Sequence, residues 1–363
     1  MYELVKFLQI LQIFQEFRLF WKCCGLNNKR EKAEGKIKIG VLNFLLNIYF
    51  FPIHTSSKHI NTFLREGGLQ RLIGESTAAV VFYGTKTPVE GEVDFYFSRD
   101  VKVESVYFDP PMEAKVLGEG EKVTVRYDAS LPGGSLVSAD ILVEDKDRNT
   151  LNVLISFRTR NNRMPDLVIN EIRTAYSKPK VEFIEFKALS AGNLGAMRLF
   201  AIYQKDEPIF EFPPVEVKKG EYIVLHTRSI EPGITDELGT NLAESKGTDA
   251  SPAARDFWIP GALKLHGTNV IYTMDQDGNI LNGVQLISGD YKWKDSLAQA
   301  ALEMENQGKW SGDAVKTDGN TATRTICRDE KKKNSDSAAD WYVTVTSGAT
   351  PGRANNPNRY SKP

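Results

Sequence analysis

Two neighbouring stretches, DLVINEIRT at residues 166–174 and VEFIEF at residues 181–186, decide the fold prediction. Both are short runs rich in Val, Ile and Phe, which is typical of β-strands that pack against a core. They also carry three carboxylates, at Glu171, Glu182 and Glu185. Buried acids act either as general acids and bases in catalysis or as hydrogen-bonded anchors that stabilise the fold. The rest of the sequence has to distinguish these two interpretations.

The alternation of side chains along a strand favours a structural role for these glutamates. On a strand, Glu182 and Glu185 point to opposite faces, so they cannot converge on one substrate atom as the paired acids of a glycosidase do. A buried carboxylate needs partners, and we expect backbone N–H groups at a sheet crossover or an arginine such as Arg324 to provide them. A general acid/base role for these glutamates remains the alternative.

The composition excludes several classes of protein. The chain has 363 residues, enough for two or three domains, and its 41% hydrophobic and 26% charged residues are ordinary for a globular protein. A net charge of −1 gives no overall attraction to nucleic acid, so no nucleic-acid partner is expected. Three cysteines and four histidines have no metal or redox spacing. The sequence also lacks a phosphate-binding loop and a dinucleotide-binding motif. We therefore expect that the protein binds no cofactor and is not an enzyme.

Residues 1–75 differ from the rest of the chain. The basic stretch KREKAEGKIK at 29–38 precedes the apolar run IGVLNFLLNIYFF at 39–51, in the order of a secretory signal peptide. The apolar run is shorter than the roughly 20 residues of a membrane-spanning helix. The stretch before it has apolar residues at helical spacing and predicts an amphipathic helix. Residues 1–53 are therefore expected to associate with a membrane, unless 1–75 is a spurious extension from a mis-assigned start.

Residues 78–160 consist of short β runs separated by turn signals at intervals of roughly 8 to 15 residues, which is typical of an antiparallel sandwich. Along these runs the chain has, in order, Ser98, Val101, Leu131, Pro132, Gly133, Asp145, Asn149, Phe157 and Thr159. This order of residues resembles a bacterial Ig-like domain, with Arg148 in the place where that family usually has glycine. NNRMP at 161–165 predicts a linker between this domain and the next.

Residues 166 to 356 include the stretches VINEI and VEFIEF, the run FPPVEVKKGEYIVL and the closing TPGRAN. Together these motifs resemble the lamin tail domain, an Ig-like β-sandwich found in nuclear lamins and in bacterial envelope and secreted proteins. The resemblance implies a structural motif made of Asn170, Glu171, Glu182, Glu185, Gly220, Arg324, Trp341, Pro351, Gly352 and Asn355. We therefore predict an all-β chain of two Ig-like β-sandwich domains in tandem, after a poorly defined, partly helical N-terminal segment.

Two insertions enlarge the third section. The insertion at 229–262 ends in Phe257 and Trp258, which are either a platform for ligand stacking or a plug that closes the loop onto the sandwich. The insertion at 293–310 predicts a short helix capped by Asp295. Its expected inner stripe is Leu297, Ala300, Ala301 and Met304. The charged run at 328–337 is expected to be a solvated loop.

Two acidic turns are weak calcium candidates. They have the pattern Asp-x-Asp-x-Asn, with Asp145 and Asp147 in one turn and Asp275 and Asp277 in the other. Both lack the distal glutamate of an EF-hand loop, and hairpin turns favour the same residue types.

The resemblance to lamin tail domains implies a non-catalytic structural or adhesive protein of the cell envelope or the exterior, which binds protein or polysaccharide. One alternative is a hydrolase that pairs Glu171 or Glu185 with Asp275 or Asp277 in a cleft between the domains. Another is a calcium-dependent adhesin.

Overall fold

The computed structural model describes residues 79–361. The signal, anchor and helix predictions for residues 1–75 lie outside these residues. The described part belongs to one compact unit, Ala78–Pro363, which is built of strands with one α-helix and one 3-10 helix, as the all-β prediction requires. No helix in this part is both long and apolar enough to cross a membrane.

Two large hydrophobic cores divide the described chain, and a small third cluster consists of Phe183, Val224 and Ala254. We call residues 79–160 the first module and residues 166–361 the second module, after the core that each surrounds. The first module has six strands: β1 (Phe82–Lys86), β2 (Glu92–Asp109), β3 (Ala114–Leu117), β4 (Gly120–Tyr127), β5 (Leu136–Asp145) and β6 (Thr150–Arg158).

Strand β2 organises the first module. Its first half pairs with β1 and β4 and its second half pairs with β5, with an irregularity of register between Tyr96 and Val101. One core is shared by the strands of both halves, so a single long strand serves both layers of the sandwich. Alternate residues of β5 are buried, which is the period expected of a strand with one apolar face.

The second module contains thirteen strands and the helix α1 (Asp295–Asn306). The strands are β7 (Leu167–Arg173), β8 (Phe183–Ala188), β9 (Gly192–Asn193), β10 (Arg198–Ala201), β11 (Phe210–Glu211), β12 (Glu216–Val217), β13 (Tyr222–His226), β14 (Arg255–Trp258), β15 (Asn269–Met274), β16 (Ile280–Ile287), β17 (Val315–Lys316), β18 (Ile326–Arg328) and β19 (Trp341–Val343). A 3-10 helix, Ala338–Asp340, precedes β19.

The two larger sheets of the second module enclose its core. One has the strand order β11-β10-β15-β16-β17 and the other β14-β13-β8-β7-β18-β19, while β9 and β12 form a short ribbon. Apolar side chains from both sheets, such as Ile172 and Ile271, meet in this core. The second sheet is buried on its other face as well, since all seven residues of β7 are buried.

Helix α1 confirms the predicted inner stripe. Leu297, Ala300, Ala301 and Met304 are its buried residues, at the spacing that places side chains on one face of a helix. The predicted cap is wrong, because Lys294 occupies the N-cap position and makes no side-chain capping bond. Asp295 lies in the first turn instead, where a carboxylate interacts favourably with the helix dipole.

Candidate functional site

The six-stranded sheet of the second module buries a layer of polar side chains on the face opposite its hydrophobic core. We call this layer the outer layer. The strand registers place one row of it directly across the sheet, from β14 to β19: Asp256, Val224, Glu185, Glu171, Cys327 and Tyr342. Three of these six residues are ionisable carboxylic acids, so the layer needs hydrogen-bond donors close by.

Glu171 and Glu185 are direct cross-strand partners, and both are fully buried. Oε1 of Glu185 accepts a bond from the Asn170 amide at 2.9 Å, and its Oε2 accepts one from the backbone N–H of Gly352 at 2.7 Å. The backbone N–H of Thr350 donates to Glu171 Oε2 at 3.1 Å. Backbone N–H groups from a distant segment therefore hold both acids, as the scaffold interpretation expects.

Burial sets the protonation of this pair. Burial raises the pKa of Glu171, although the hydrogen bond from the Thr325 hydroxyl lowers it in part. Burial, with the nearby charge of Glu171, raises the pKa of Glu185 well above its ordinary value. Two carboxyls placed opposite each other in a desolvated layer favour the protonated form of at least one of them.

Residues 346–355, which we call the strap, close over the acids, and Glu330 ties the strap to the sheet. Glu330 accepts bonds from the Asn170 amide at 3.1 Å and from the Asn355 backbone N–H at 3.1 Å, and it pairs with Lys187. The Asn355 amide in turn donates to the carbonyl oxygen of Asn170 at 3.0 Å. Five residues of the predicted motif thus meet in one place: Asn170, Glu171, Glu185, Gly352 and Asn355.

Sequence reasoning missed Glu330 and Lys187. Glu330 lies in the run 328–337, so the prediction of a solvated loop is wrong for its first residues: Arg328 is buried and Glu330 is half-buried. The sequence alone did not indicate this position, because Glu330 reaches the acids only through the pairing of β18, which ends two residues before it, with β7, the strand that carries Glu171.

Glu182 lies apart from this cluster. Its carboxylate receives a two-pronged bond from Arg228, whose Nε and Nη2 are each 2.9 Å from one of its oxygens. Glu182 and Glu185 therefore contact different partners and do not converge. The expected arginine was wrong, because Arg324 contacts none of the three glutamates; it donates to Thr346 and lies over the ring of Tyr360.

Phe257 and Trp258 are buried, which corrects their prediction as a ligand platform. Phe257 packs in the core of the second module. Trp258 stacks on His226 in the outer layer, with ring centroids 3.8 Å apart. His226 Nε2 lies 2.7 Å from a carboxylate oxygen of Asp256, and both side chains are buried. The aromatic end of the insertion closes the loop onto the sandwich.

Other members of the predicted motif have local roles. Gly220 adopts a φ of 85° in the turn before β13, a conformation that favours glycine. Trp341 is buried at the start of β19, where it pairs with Arg328. Pro351 accepts a bond from the Ser251 hydroxyl through its carbonyl oxygen.

The acidic turns bind their own backbone. Asp145 Oδ1 accepts bonds from the N–H groups of Asp147 and Asn149, and Asp275 Oδ1 accepts bonds from those of Asp277 and Asn279. Within residues 79–361, no group of three or more His, Cys, Asp or Glu side chains could hold a metal ion. The carboxylates of Asp145 and Asp275 thus hold the turns in which they lie.

The junction between the modules is a close backbone contact. A Cβ atom on Gly134 would overlap the backbone of Gly195, so glycine is required for this approach. The segment predicted as a linker takes part: the buried amide of Asn161 donates to the carbonyl oxygens of Asn193 and Gly195, each at 2.8 Å. Gln276 accepts a bond from the Asn161 N–H at 2.9 Å.

A cleft of about 390 Å³ opens beside this junction. Both modules line it: Thr85, Lys86, Thr87, Pro88, Tyr96, Phe157, Arg158 and Arg160 come from the first, and Ala196, Arg198, Glu211, Gln276 and Asp277 from the second. Two ion pairs join its walls, Arg158 with Glu211 and Arg160 with Asp277. The Arg160–Asp277 pair has two parallel bonds of 2.7 Å, and this bond to Arg160 lowers the pKa of Asp277.

The acids proposed for hydrolysis do not meet. Asp277 lines the cleft, whereas Glu171 and Glu185 lie under the strap and are not among the residues of the cleft wall. The combination of a buried glutamate with Asp275 or Asp277 in one pocket is therefore wrong for this structure.

Comparison with known proteins extends over part of the chain. A family model described as a protein second domain matches residues 165–343, a range that begins just before β7 and ends with the last residue of β19. An uncharacterized protein of Treponema pallidum (strain Nichols) is 33% identical over 114 residues, which cover 30% of this chain and 29% of the relative. The match therefore spans less than a third of that relative. No solved structure matches. The second module of the chain is thus similar to the protein second domain family.

Proposed function

We propose that the chain is a non-catalytic structural or adhesive protein of the cell envelope or the exterior, which binds protein or polysaccharide. The motifs from 166 to 356 that resemble lamin tail domains, and the Ig-like pattern before them, are the source of the compartment and the class of partner. The two-module β-sandwich architecture is compatible with both resemblances.

One structural observation supports a role without catalysis. The three glutamates that sequence reasoning weighed as acid/base groups are all occupied by the scaffold: Glu182 by Arg228, and Glu171 and Glu185 by N–H groups of the strap. A general acid must reach its substrate, and these carboxyls are buried and bonded. The cleft between the modules, in contrast, is open to solvent and offers cationic side chains and hydroxyl groups for binding.

Cell fractionation of the native organism tests the compartment and the role together. We expect the chain in an extracytoplasmic fraction, and we expect added protease to cleave it on intact cells. N-terminal sequencing of the recovered protein shows how residues 1–75 are processed. Recovery of the chain with intact Met1 in the cytoplasmic fraction would contradict the proposal.

A further inference from the structure

The cleft beside the junction is built as a rigid feature. Gly134 and Gly195 bring the two backbones into contact, and the Asn161 amide fastens them by bonds to carbonyl oxygens. The ion pairs of Arg158 and Arg160 then cross from one wall to the other. A cleft held by so many contacts keeps its shape before a ligand arrives, which lowers the entropy lost on binding.

The charges of the cleft do not balance. Its walls contain four cationic side chains and two carboxylates. The carboxylates of Glu211 and Asp277 are paired with Arg158 and Arg160 across the junction. The two remaining cationic side chains are Lys86 from the first module and Arg198 from the second. Within residues 79–361, no carboxylate lies within ion-pair distance of either.

These two cations are available to a ligand. Lys86 is exposed, and Arg198 is half-buried and donates one bond to the Asp275 carbonyl oxygen at 2.7 Å. A guanidinium has five N–H donors, so one bond leaves others for an anion. Among the described residues, each module therefore supplies one cationic side chain without an ion-pair partner to the same cleft, which favours a ligand that bears negative charge.

The remaining lining indicates what carries that charge. Tyr96 is half-buried, and the Lys86 ammonium lies 5.9 Å from its ring centroid. Thr85 and Thr87 add hydroxyl groups on the same wall. A ring beside hydroxyls and a cation suits a sugar that has an apolar face, hydroxyl groups and an acidic substituent. An acidic peptide would instead use apolar anchors in desolvated pockets.

We propose, on the basis of the binding function above, that this cleft binds an acidic polysaccharide. A carboxylate of the glycan is held by Lys86 and Arg198, and a sugar ring lies against Tyr96. Because the ligand contacts both modules, binding depends on the junction that holds them together.

Titration calorimetry with the full chain tests the proposal, with polygalacturonate as the probe. We expect binding that weakens with added salt, and no binding to the neutral glycan dextran. Lys86→Gln and Arg198→Gln are each expected to weaken binding about tenfold, because each removes one charge-assisted bond. The matched control is the double variant Lys115→Gln/Lys316→Gln, which removes two exposed charges outside the cleft and should bind as the parent does.

Further measurements separate loss of binding from loss of folding and distinguish a glycan from other anions. Arg198→Lys keeps the charge and should retain most of the affinity, and thermal unfolding of each variant shows whether it folds. Poly-L-glutamate and inorganic phosphate serve as competing anions. Equal affinity for poly-L-glutamate would assign the cleft to acidic peptides, and displacement by millimolar phosphate alone would reduce it to a site for small anions; either result overturns the proposal.

Absence of polygalacturonate binding, or undiminished binding by the Lys86 and Arg198 variants, would also overturn it. Neither result affects the fractionation experiment, which measures where the chain resides. A chain found outside the cytoplasm whose cleft binds no polyuronate would keep the proposed function and lose this ligand.

Discussion

The hairpin turns at residues 145–149 and 275–279 have the same Asp-x-Asp-x-Asn pattern, one in each module. Both fold with the same bonds, because the first aspartate accepts two backbone N–H bonds and the amide of the last asparagine. They differ in what surrounds them. Asp277 of the second turn reaches across the junction to Arg160, whereas Asp147 is exposed.

This difference shows that the local sequence pattern determines the conformation of the turn, but not whether the turn also contacts the other module. The first turn closes a hairpin within its own module, and Arg99 of that module binds Asp145 at 3.3 Å. The second turn closes a hairpin and also fastens the two modules together. Five experiments can break or sharpen this comparison.

The largest effect is expected from Gly195→Ala at the junction. A Cβ atom at this position would overlap the carbonyl oxygen of Gly133, so the modules must move apart. We expect a loss of about 3 kcal/mol in the free energy of unfolding, measured by denaturant titration. Amide exchange should rise in the turn at 275–279 and stay unchanged in the turn at 145–149. Gly239→Ala is the control, since no atom lies within 4 Å of its added Cβ.

Removal of the first aspartate should affect the two turns unequally. Asp145→Ala removes a buried carboxylate that accepts three bonds from its turn and pairs with Arg99, so we expect a cost of about 2–3 kcal/mol. Asp275→Ala, in a turn open to water, should cost about 1 kcal/mol. Denaturant titration of both variants, with Asp147→Ala as a near-neutral control, checks this order. Equal losses would show that burial does not distinguish the turns.

Glu171 and Glu185 should respond to pH in the opposite direction from Asp277, because burial raises the pKa of both glutamates whereas the bond to Arg160 lowers the pKa of Asp277. The pKa of Asp277 is lowered from 3.8, so its contribution to stability is present above pH 3.8 and is lost as the pH falls through the folded-state pKa. The pKa of Glu185 is raised from 4.5, so its contribution is present below pH 4.5 and is lost as the pH rises through the folded-state pKa.

Glu185→Gln tests this sign. The substitution removes an ionisation that burial and Glu171 oppose, so the variant should gain stability relative to the parent as the pH rises above about 4.5. Thermal unfolding between pH 4 and 8 measures the difference. A difference that does not change with pH would show that Glu185 titrates as an ordinary acid.

The fourth positions of the turns should give smaller effects of opposite sign. Arg148 has a φ of 63° and Gly278 a φ of 89°, so the first turn places a side chain where the second has none. Arg148→Gly should stabilise the chain by up to about 1 kcal/mol, and Gly278→Ala should destabilise it by about the same amount. Denaturant midpoints measure both, and a loss of stability in Arg148→Gly would mean that the arginine side chain makes a compensating contact.

Calcium should have the smallest effect. The carboxylates of Asp145 and Asp275 already accept bonds from their own turns, and Asp277 is bound to Arg160. Melting temperatures with calcium and with chelator are expected to coincide. A higher melting temperature with calcium than with chelator would support the calcium-dependent adhesin instead.

Local patterns predicted much of the fold. The apolar period of the insertion at 293–310 predicted the four inner residues of helix α1, because helical spacing alone decides which side chains share a face. It did not give the cap, since Lys294 and Asp295 differ by one residue, a distance below the accuracy with which sequence fixes a helix end.

The candidate sites were predicted less completely. Strand alternation separated Glu182 from Glu185, but the pairing of Glu171 with Glu185 depends on the register of two strands and on a bulge between Ile169 and Glu171. A shift of one residue would turn either acid to the other face. The partners of the acids were harder to predict, because Gly352 follows Glu185 by 167 residues and no local pattern connects them.

The sequence by itself determined the strands, the turns and the helix of this protein, because these depend on side-chain period, turn chemistry and burial preference over a few residues. The tertiary structure alone decided that the buried acids meet under the strap, that Asp277 joins the modules, and that Lys86 and Arg198 face one cleft. These contacts join residues far apart in the chain, and only the packing of complete sheets brings them within bonding distance.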